Sequence, residues 1–294
     1  MKILLTGATG YLGSHLATYL IKNNYNVTIL KRSTSSMERL LKIKDYLACY
    51  DIDNIDLITL FKKQNNFDAI IHTATCYGKN NEKKKEIFEA NTFFPIKLIE
   101  TGILFKTKIF INTDTYYNVD GGIPFNLTNY ILSKKKFLDK AKLLTLNNKI
   151  RLINLRLEHV YGPKDTEKKF VNWLVNSILK EDNKIKLTKC EQKRDMIYID
   201  DVVDAFGKVL NNISKIDDYY IDVGVGCGST ITFREFAELV LKLTKSNSKL
   251  IFGSIPYQKN EIMSSKADNK ILKKFKWKCK TNIEQGLSRV IKSN

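Results

Sequence analysis

The sequence has few of the residues that build metal centres or disulfide frameworks. It contains only three histidines, and its five cysteines are scattered without a paired or CxxC spacing: Cys49, Cys76, Cys190, Cys227 and Cys279. We therefore expect neither a bound metal nor a disulfide framework, and a reducing, cytoplasmic setting fits this cysteine usage best.

Long hydrophobic runs are also missing. No apolar stretch reaches the roughly 20 residues that a membrane-spanning helix needs, so we expect no membrane partner. The N-terminus opens on a predicted strand that leads into a glycine loop, which makes it part of the fold and not a signal peptide.

Acidic residues are too few to balance the basic ones, and the formal net charge is +18. The lysines are dispersed along the chain, and no nucleic-acid-binding motif accompanies them. We interpret them as solvated surface, with a platform for nucleic acid as the alternative. A positive field of this kind would favour an anionic substrate such as a diphosphate.

Apolar strand segments alternate with helical segments through the first half of the chain. Strands are predicted at 2–6, 26–30, 68–74, 108–113 and 150–157, and helices near 13–24, 81–102, 126–146, 168–180, 201–211 and 232–245. This alternation predicts an α/β Rossmann fold with a doubly wound parallel sheet. We expect residues 1–162 to form the cofactor-binding domain. Residues 163–294 should form a smaller α/β substrate lobe, with some segments returning to the main sheet.

Three glycines follow the first strand at intervals of three residues, in TGATGYLG: Gly7, Gly10 and Gly13. At a strand-to-helix junction, such glycines allow a tight turn and the close approach of a pyrophosphate to a helix N-terminus. The loop is therefore predicted to hold a dinucleotide, although a glycine turn without a ligand is the alternative.

No acid follows the second strand, where a carboxylate would accept the ribose hydroxyls of NAD. The residues there are Lys31, Arg32 and Ser33, which suit a 2′-phosphate because a guanidinium is available and carboxylate repulsion is missing. We therefore predict NADP(H) as cofactor, with a solvated cationic pair as the alternative. The ends of the next two strands are expected to contact the same cofactor, through Asp51, Ile52 and Ala74.

Tyr130 and Lys134 lie four residues apart, on one face of the helix predicted at 126–146. The pair follows the strand that ends in Thr113, where a hydroxyl is needed to complete a catalytic site. A neighbouring ammonium, together with an oxidised nicotinamide, would lower the phenol pKa from about 10. We predict that Tyr130 exchanges a proton, that Lys134 also holds the nicotinamide ribose, and that Thr113 orients the reacting oxygen. A buried tyrosine beside a surface lysine is the alternative.

Together these motifs resemble the extended short-chain dehydrogenases/reductases of the NAD-dependent epimerase/dehydratase family, which act on nucleotide sugars. The resemblance runs through TGATGYLG, IIHTAT, NTDT, the Tyr130–Lys134 pair, LRLEHVYGP and KRDMIYIDDVVDAF. It implies that Arg194 contacts the substrate diphosphate and that Val160 passes the nicotinamide. It also implies that His159 faces the sugar, with structural filler as the alternative, and that the protein is a homodimer.

The resemblance also supplies the remaining expected site residues. The additional expected cofactor contacts are Thr9, Tyr11, Leu12, Thr73, Thr75, Asn91 and Ile111. The expected substrate contacts are Thr75, Asp114, Thr115, Glu158, His159, Arg194, Asn260 and Glu261.

Within this family, the residues favour reduction over the other reactions. A 4,6-dehydratase carries Asp-Glu after its active hydroxyl residue, whereas this chain has Asp114 followed by Thr115. Bifunctional epimerase-reductases have a cysteine at the position of Thr115, and 4-epimerases commonly have an acid after the second strand. The resemblance therefore implies an NADPH-dependent nucleotide-sugar 4-ketoreductase.

A narrower resemblance, in NTDTYYN, RLEHVYGP and NEIMSS, implies CDP-4-keto-3,6-dideoxy-D-glucose as the substrate. Its reduction gives CDP-abequose or the C4 epimer CDP-paratose for O-antigen biosynthesis. The nucleotide base and the C4 configuration stay open at this point. A nucleotide-sugar epimerase with tightly held NAD(P) and a non-catalytic NADP-binding regulator are the alternative functions.

Overall fold

The computed structural model describes residues 1–118, 127–147 and 150–293. The strands are β1 (Lys2–Thr6), β2 (Asn26–Lys31), β3 (Ala48–Asp51), β4 (Ala69–His72), β5 (Ile109–Thr115), β6 (Arg151–Leu157), β7 (His159–Tyr161), β8 (Lys184–Lys186), β9 (Lys193–Arg194), β10 (Met196–Tyr198), β11 (Tyr220–Val225), β12 (Ile231–Thr232), β13 (Lys249–Ile251) and β14 (Ser264–Ser265).

Helices connect most of these strands. The α-helices are α1 (Tyr11–Lys22), α2 (Leu57–Lys63), α3 (Lys84–Phe88), α4 (Phe94–Leu104), α5 (Thr128–Asn147), α6 (Phe170–Leu179), α7 (Ile199–Asn211), α8 (Phe233–Thr244), α9 (Lys270–Lys274) and α10 (Ile283–Ser293). 3₁₀ helices cover Glu38–Tyr46 and Ile213–Lys215, and a π-helical turn covers Glu89–Phe93. None of the helices in the described part of the chain combines the length and the apolar character that a membrane span requires.

A seven-stranded parallel sheet in the order β11-β6-β5-β4-β1-β2-β3 confirms the predicted doubly wound fold. The chain starts at β1, moves outward through β2 and β3, and then returns to β4 on the other side of β1. In open α/β sheets, such a reversal leaves a ligand-binding crevice at the carboxyl ends of the two strands, here β1 and β4.

The central strands are continuous apolar runs because helices cover both faces of the sheet. Ile3, Leu4 and Leu5 of β1 are fully buried. A hydrophobic cluster joins strands β1, β2, β4, β5 and β6 to α2, α4 and α5, and it includes Leu4, Leu30, Phe61, Ile70, Leu98, Phe110, Phe137 and Leu152. The long helix α5, which carries the predicted Tyr–Lys pair, is therefore fixed against the sheet by its apolar face.

The predicted strands and helices agree with the observed ones to within a few residues. Residue 126, where the sequence places the start of α5, lies outside the described residues. The 3₁₀ helix at Glu38–Tyr46 and the helices α2, α9 and α10 were not predicted. Of these, α2 begins with a local signal, because the Asp56 side chain accepts a hydrogen bond from the Thr59 amide at 2.9 Å.

The chain divides into two compact units, which we describe separately. The first comprises residues 1–118, 127–156 and 206–223, and the second comprises residues 157–205 and 224–293. Residues 157–162, which the sequence places in the first domain, belong to the second unit. The second unit contains a three-stranded sheet in the order β12-β9-β14 and two parallel strand pairs, β7 with β10 and β8 with β13.

A disulfide bond in the second unit joins Cys227 to Cys279, whose Cα atoms lie 5.2 Å apart. The expectation that the cysteines form no disulfide is therefore wrong for this pair. The two residues are 52 positions apart, so only the fold brings them together. Asp201 makes a second connection at the same place, since its carboxylate accepts hydrogen bonds from the amides of Lys280 at 2.9 Å and Thr281 at 3.0 Å.

We predict that Cys279→Ser lowers the free energy of unfolding by about 2–4 kcal/mol, because the disulfide restricts a long loop of the unfolded chain. Urea denaturation without reductant measures this loss, and Cys49→Ser, at an exposed free thiol, is the control without effect. Alkylation of the denatured, unreduced protein should label three cysteines, Cys49, Cys76 and Cys190. Labelling of all five before reduction would contradict the prediction.

Candidate active site

The glycine loop after β1 lies directly against the residues that follow β4. Gly7 has a φ of +75°, which favours glycine, and a Cβ atom there would overlap the backbone nitrogen of Ala74. A Cβ atom at Gly13 would overlap the carbonyl oxygen of Gly7, and that oxygen accepts a hydrogen bond from the Gly10 amide at 3.0 Å. Only glycines at these positions allow the turn and the close approach.

Helix α1 begins directly after this loop, with Gly10 as its N-cap residue. In the described chain no side chain caps this N-terminus, and its first turn carries no acid. The amide groups of a first helical turn have no intrahelical partner and lie at the positive end of the helix dipole. A phosphate group therefore fits this end of α1, and the predicted contacts Thr9, Tyr11 and Leu12 lie half-buried beside it.

Two carboxylates meet the cationic residues at the end of β2. Parallel pairing places Lys31 opposite Asp51, and their side chains form an ion pair with an Nζ–Oδ1 distance of 2.6 Å. The amide of Ser33 donates a hydrogen bond to Asp53 at 2.6 Å, and Arg32 is exposed between these pairs. The expectation that carboxylates are missing from this corner is therefore wrong, because Asp51 ends β3 and Asp53 follows that strand. Asp51, predicted to contact the cofactor, is paired with Lys31 in this structure.

Asn91 fastens the loop after β4 to helix α5. Its side-chain oxygen accepts a hydrogen bond from the Cys76 amide at 2.8 Å, and its nitrogen donates to the Cys76 carbonyl at 2.7 Å and to Ser133 Oγ at 3.0 Å. The side chain, predicted to contact the cofactor, is buried and holds other protein groups instead.

Earlier in the same loop, the Thr73 hydroxyl donates a hydrogen bond to the Thr6 carbonyl at 2.8 Å. Ala74 and Thr75, also predicted contacts, are half-buried.

Ile111, another predicted cofactor contact, belongs to the interior of the sheet. It is fully buried in β5 and lies opposite Ile71 in β4. A side chain in this position packs in the core and does not line a ligand site.

The structure brings the proposed catalytic residues together in the first unit. Lys134 Nζ donates a hydrogen bond to the backbone carbonyl of Thr113 at 2.7 Å and lies 5.9 Å from the centre of the Tyr130 ring. Tyr130 is 5% exposed and Lys134 is 6% exposed. The Thr113 hydroxyl is buried and has no hydrogen-bond partner among the described residues. A buried hydroxyl without a partner suits a group that binds a reacting atom.

Burial dominates the protonation of the Tyr130–Lys134 pair. It raises the pKa of Tyr130 well above 10, and the neighbouring Tyr77 adds to this effect while a hydrogen bond with Thr115 opposes it. In the protein alone the net shift of the phenol pKa is therefore upward, and the lowering expected from Lys134 together with an oxidised nicotinamide stays a prediction. Burial also lowers the pKa of Lys134, an effect that Asp114 opposes. Tyr130 consequently holds its proton, which is the form that a proton donor needs.

Asp114 is occupied by hydrogen bonds within the protein. Its Oδ1 accepts from the Thr115 amide at 2.8 Å, and its Oδ2 accepts from Asn118 at 2.9 Å and from Asn154 at 3.0 Å. Asn154 also donates to Asp222 at 2.8 Å, so the network joins β5, β6 and β11. Asp114, predicted to contact substrate, therefore shapes the end of β5. The sequence carries one signal for this network, the single asparagine within the apolar run of β6.

Two predicted substrate residues in the second unit bind each other. Arg194 is 2% exposed, and its guanidinium donates to Glu261 at 2.7 Å and to the Lys193 carbonyl at 2.9 Å. Burial raises the pKa of Glu261, while the charge of Arg194 opposes this shift. Asn260, directly before Glu261, has a positive φ of 61°. The arginine predicted to contact the diphosphate is thus already paired with a carboxylate.

The other predicted residues of the second unit have structural contacts as well. Glu158 accepts a hydrogen bond from Ser265 Oγ at 2.6 Å. The His159 ring lies edge-on to Phe233, with ring centres 5.4 Å apart, which agrees with a packing role. Val160 is half-buried in the middle of β7.

His72 ends β4 directly before the loop of the site, and burial keeps it neutral. Its Nδ1 lies 2.8 Å from the Thr6 hydroxyl, and burial, with a smaller contribution from Lys134, lowers the pKa of His72 to about 3. Below pH 6.5, His72 therefore binds a proton in the unfolded chain but stays neutral in the folded protein. His72 contributes stability above pH 6.5, and this contribution is lost as the pH falls toward 3.

We predict that His72 lowers the free energy of unfolding by about 1.4 kcal/mol for each pH unit below 6.5. Urea denaturation between pH 7.5 and pH 5 measures the slope. In His72→Gln the free energy of unfolding should depend less steeply on pH, by one proton bound on unfolding, because glutamine does not titrate. His15→Gln is the matched control. An unchanged slope in His72→Gln would contradict the assignment.

The chain is similar to known proteins in sequence and in fold. Residues 3–224 match the family described as the NAD dependent epimerase/dehydratase family. The chain is 35% identical to CDP-abequose synthase of Salmonella muenchen and 31% identical to that of Salmonella typhimurium, covering in each case 99% of this chain and 97% of the relative. The structure of UDP-glucuronic acid 4-epimerase from Bacillus cereus, in complex with UDP-glucuronic acid and NAD, superposes with a TM-score of 0.83 at 22% identity and covers 100% of this chain and 98% of that one. The chain belongs to the NAD dependent epimerase/dehydratase family.

Proposed function

We propose that the protein reduces the 4-keto group of a nucleotide-linked deoxysugar with NADPH. The substrate that we assign is CDP-4-keto-3,6-dideoxy-D-glucose, and the product is CDP-abequose or its C4 epimer CDP-paratose for O-antigen biosynthesis. The observation that carries this proposal is the buried Thr113 hydroxyl, which has no hydrogen-bond partner in the described chain. The carbonyl of the same residue holds Lys134, whose amine lies beside the protonated Tyr130.

The glycine loop supports a dinucleotide as cofactor. Gly7 and Gly13 leave no room for side chains, and the uncapped N-terminus of α1 offers its amides to a diphosphate. NADPH supplies the hydride that forms the new C–H bond at C4. Arg32 and Ser33 are the groups that we assign to its 2′-phosphate.

The three catalytic residues have separate tasks in this proposal. Tyr130 donates its phenolic proton to the C4 oxygen as the carbonyl becomes an alcohol, and the resulting phenolate regains a proton from solvent. Thr113 donates a hydrogen bond to the same oxygen and fixes its orientation. Lys134, held by the Thr113 carbonyl, places a positive charge beside Tyr130 and stabilises the phenolate that forms.

The substrate assignment is supported by the two Salmonella relatives, which are CDP-abequose synthases and match nearly the full chain. The net charge of +18 favours an anionic nucleotide diphosphate. We assign contacts with the diphosphate and the sugar to Arg194, Glu158 and His159. A homodimer in the cytoplasm is the assembly and the setting that we propose.

The carboxylates at the end of β2 favour a second candidate, a nucleotide-sugar 4-epimerase that retains NAD. Asp51 and Asp53 place negative charge where a 2′-phosphate would otherwise bind. An epimerase interconverts its substrate without net consumption of cofactor. The absorbance of NADPH therefore separates the two functions.

We predict that CDP-4-keto-3,6-dideoxy-D-glucose causes stoichiometric loss of NADPH absorbance, and that Tyr130→Phe lowers kcat by about 10²–10⁴-fold because the proton donor is removed. Tyr161→Phe is the matched control, since it removes another buried tyrosine hydroxyl, one that has no hydrogen-bond partner in the described chain. Interconversion without NADPH loss would favour the epimerase. Full activity of Tyr130→Phe would contradict the role of Tyr130 as proton donor. No turnover of any 4-keto nucleotide sugar by the wild-type protein would contradict the proposal and favour a regulator.

A further inference from the structure

The ends of β2 and β3 form a small charged corner in the first unit, which we call the β2–β3 corner and define as Lys31, Arg32, Ser33, Asp51 and Asp53. Parallel pairing puts Lys31 opposite Asp51, and this ion pair neutralises the first cation. In the described chain Arg32 makes no ion pair, so it remains the exposed cation of the corner.

Asp53 occupies the hydrogen-bond donors of Ser33. Its Oδ2 accepts from the Ser33 amide at 2.6 Å. This hydrogen bond and one from the Ser33 hydroxyl lower the pKa of Asp53, and the charges of Arg32 and Lys31 act in the same direction. The carboxylate is therefore ionised at neutral pH and lies among the same donors and cations that would hold a phosphate.

Another anion can displace the Asp53 carboxylate from Ser33. Asp53 is exposed, and its contact with Ser33 joins two residues that follow the strands and do not belong to the sheet itself. An exposed hydrogen bond of this kind contributes little to stability, because water replaces either partner. An anion with more charge than one carboxylate can therefore take the place of Asp53 without disturbing β2 or β3.

We propose that Asp53 weakens the binding of NADP(H) relative to that of NAD(H) without excluding it, because its carboxylate acts as an internal anion on the Ser33 donors that a 2′-phosphate requires. NADP(H) binds only by displacing Asp53 and then meets its negative charge nearby. NAD(H) carries no 2′-phosphate and leaves the contact intact. The inference rests on the dinucleotide site of the proposed function but not on its sugar substrate.

Asp53→Asn tests the proposal, since asparagine still accepts a hydrogen bond from Ser33 but carries no charge. We expect the Kd for NADPH to fall by about tenfold, a typical effect of one nearby charge, and the Kd for NADH to change by less than about twofold. Isothermal titration calorimetry of the full-length protein measures both constants without any sugar substrate. Asp56→Asn is the matched control, because Asp56 is an exposed carboxylate that also accepts a backbone hydrogen bond, from Thr59 at 2.9 Å, and asparagine caps a helix equally well.

The outcomes separate this inference from the proposed function. Equal shifts for both cofactors, no shift, or weaker NADPH binding in Asp53→Asn would overturn the inference even if the wild-type protein reduces a 4-keto sugar. A selective gain in NADPH affinity would support it even if the protein turns over no such sugar. Failure of the wild-type protein and of Asp53→Asn to bind either cofactor would overturn both.

Discussion

The parallel pairing of β1 with β2 on one side and β4 on the other is the constraint on which the site depends. Leu5 lies opposite Ile29 in β2 and Ile71 in β4, so the ends of all three strands are fixed at one edge of the sheet. This arrangement brings the Gly7 turn against the backbone at Ala74. A register shift of one residue would move the glycine turn away from Ala74 and would turn each side chain of the strand toward the opposite face of the sheet.

The sequence predicts those parts of the site that depend on local patterns alone. The glycine turn and the four-residue spacing of Tyr130 and Lys134 depend on a strand-to-helix junction and on a helix, both of which the apolar periodicity predicts. The remaining contacts depend on register between distant segments. Asp53 reaches Ser33 only because β2 and β3 pair in parallel, and the Cys227–Cys279 bond forms only in the folded second unit.

Burial explains the main difference between expectation and structure in the electrostatics. The sequence shows a tyrosine and a lysine at helical spacing, from which a lowered phenol pKa follows. The structure buries both side chains, and the loss of solvation raises the pKa of Tyr130. A neutral phenol is the form that donates a proton, so the packed interior that holds α5 against the sheet also keeps Tyr130 in the protonation state that the proposed reduction uses.

The central claim is that this site delivers a hydride to C4 of a nucleotide-linked sugar while Tyr130 protonates the oxygen. The most direct test is NMR of the product formed from CDP-4-keto-3,6-dideoxy-D-glucose with NADPH that carries deuterium at C4 of the nicotinamide in both positions. We expect deuterium at C4 of the sugar, with one NADPH oxidised for each product molecule. A product without deuterium, or one formed without loss of NADPH, would contradict the account.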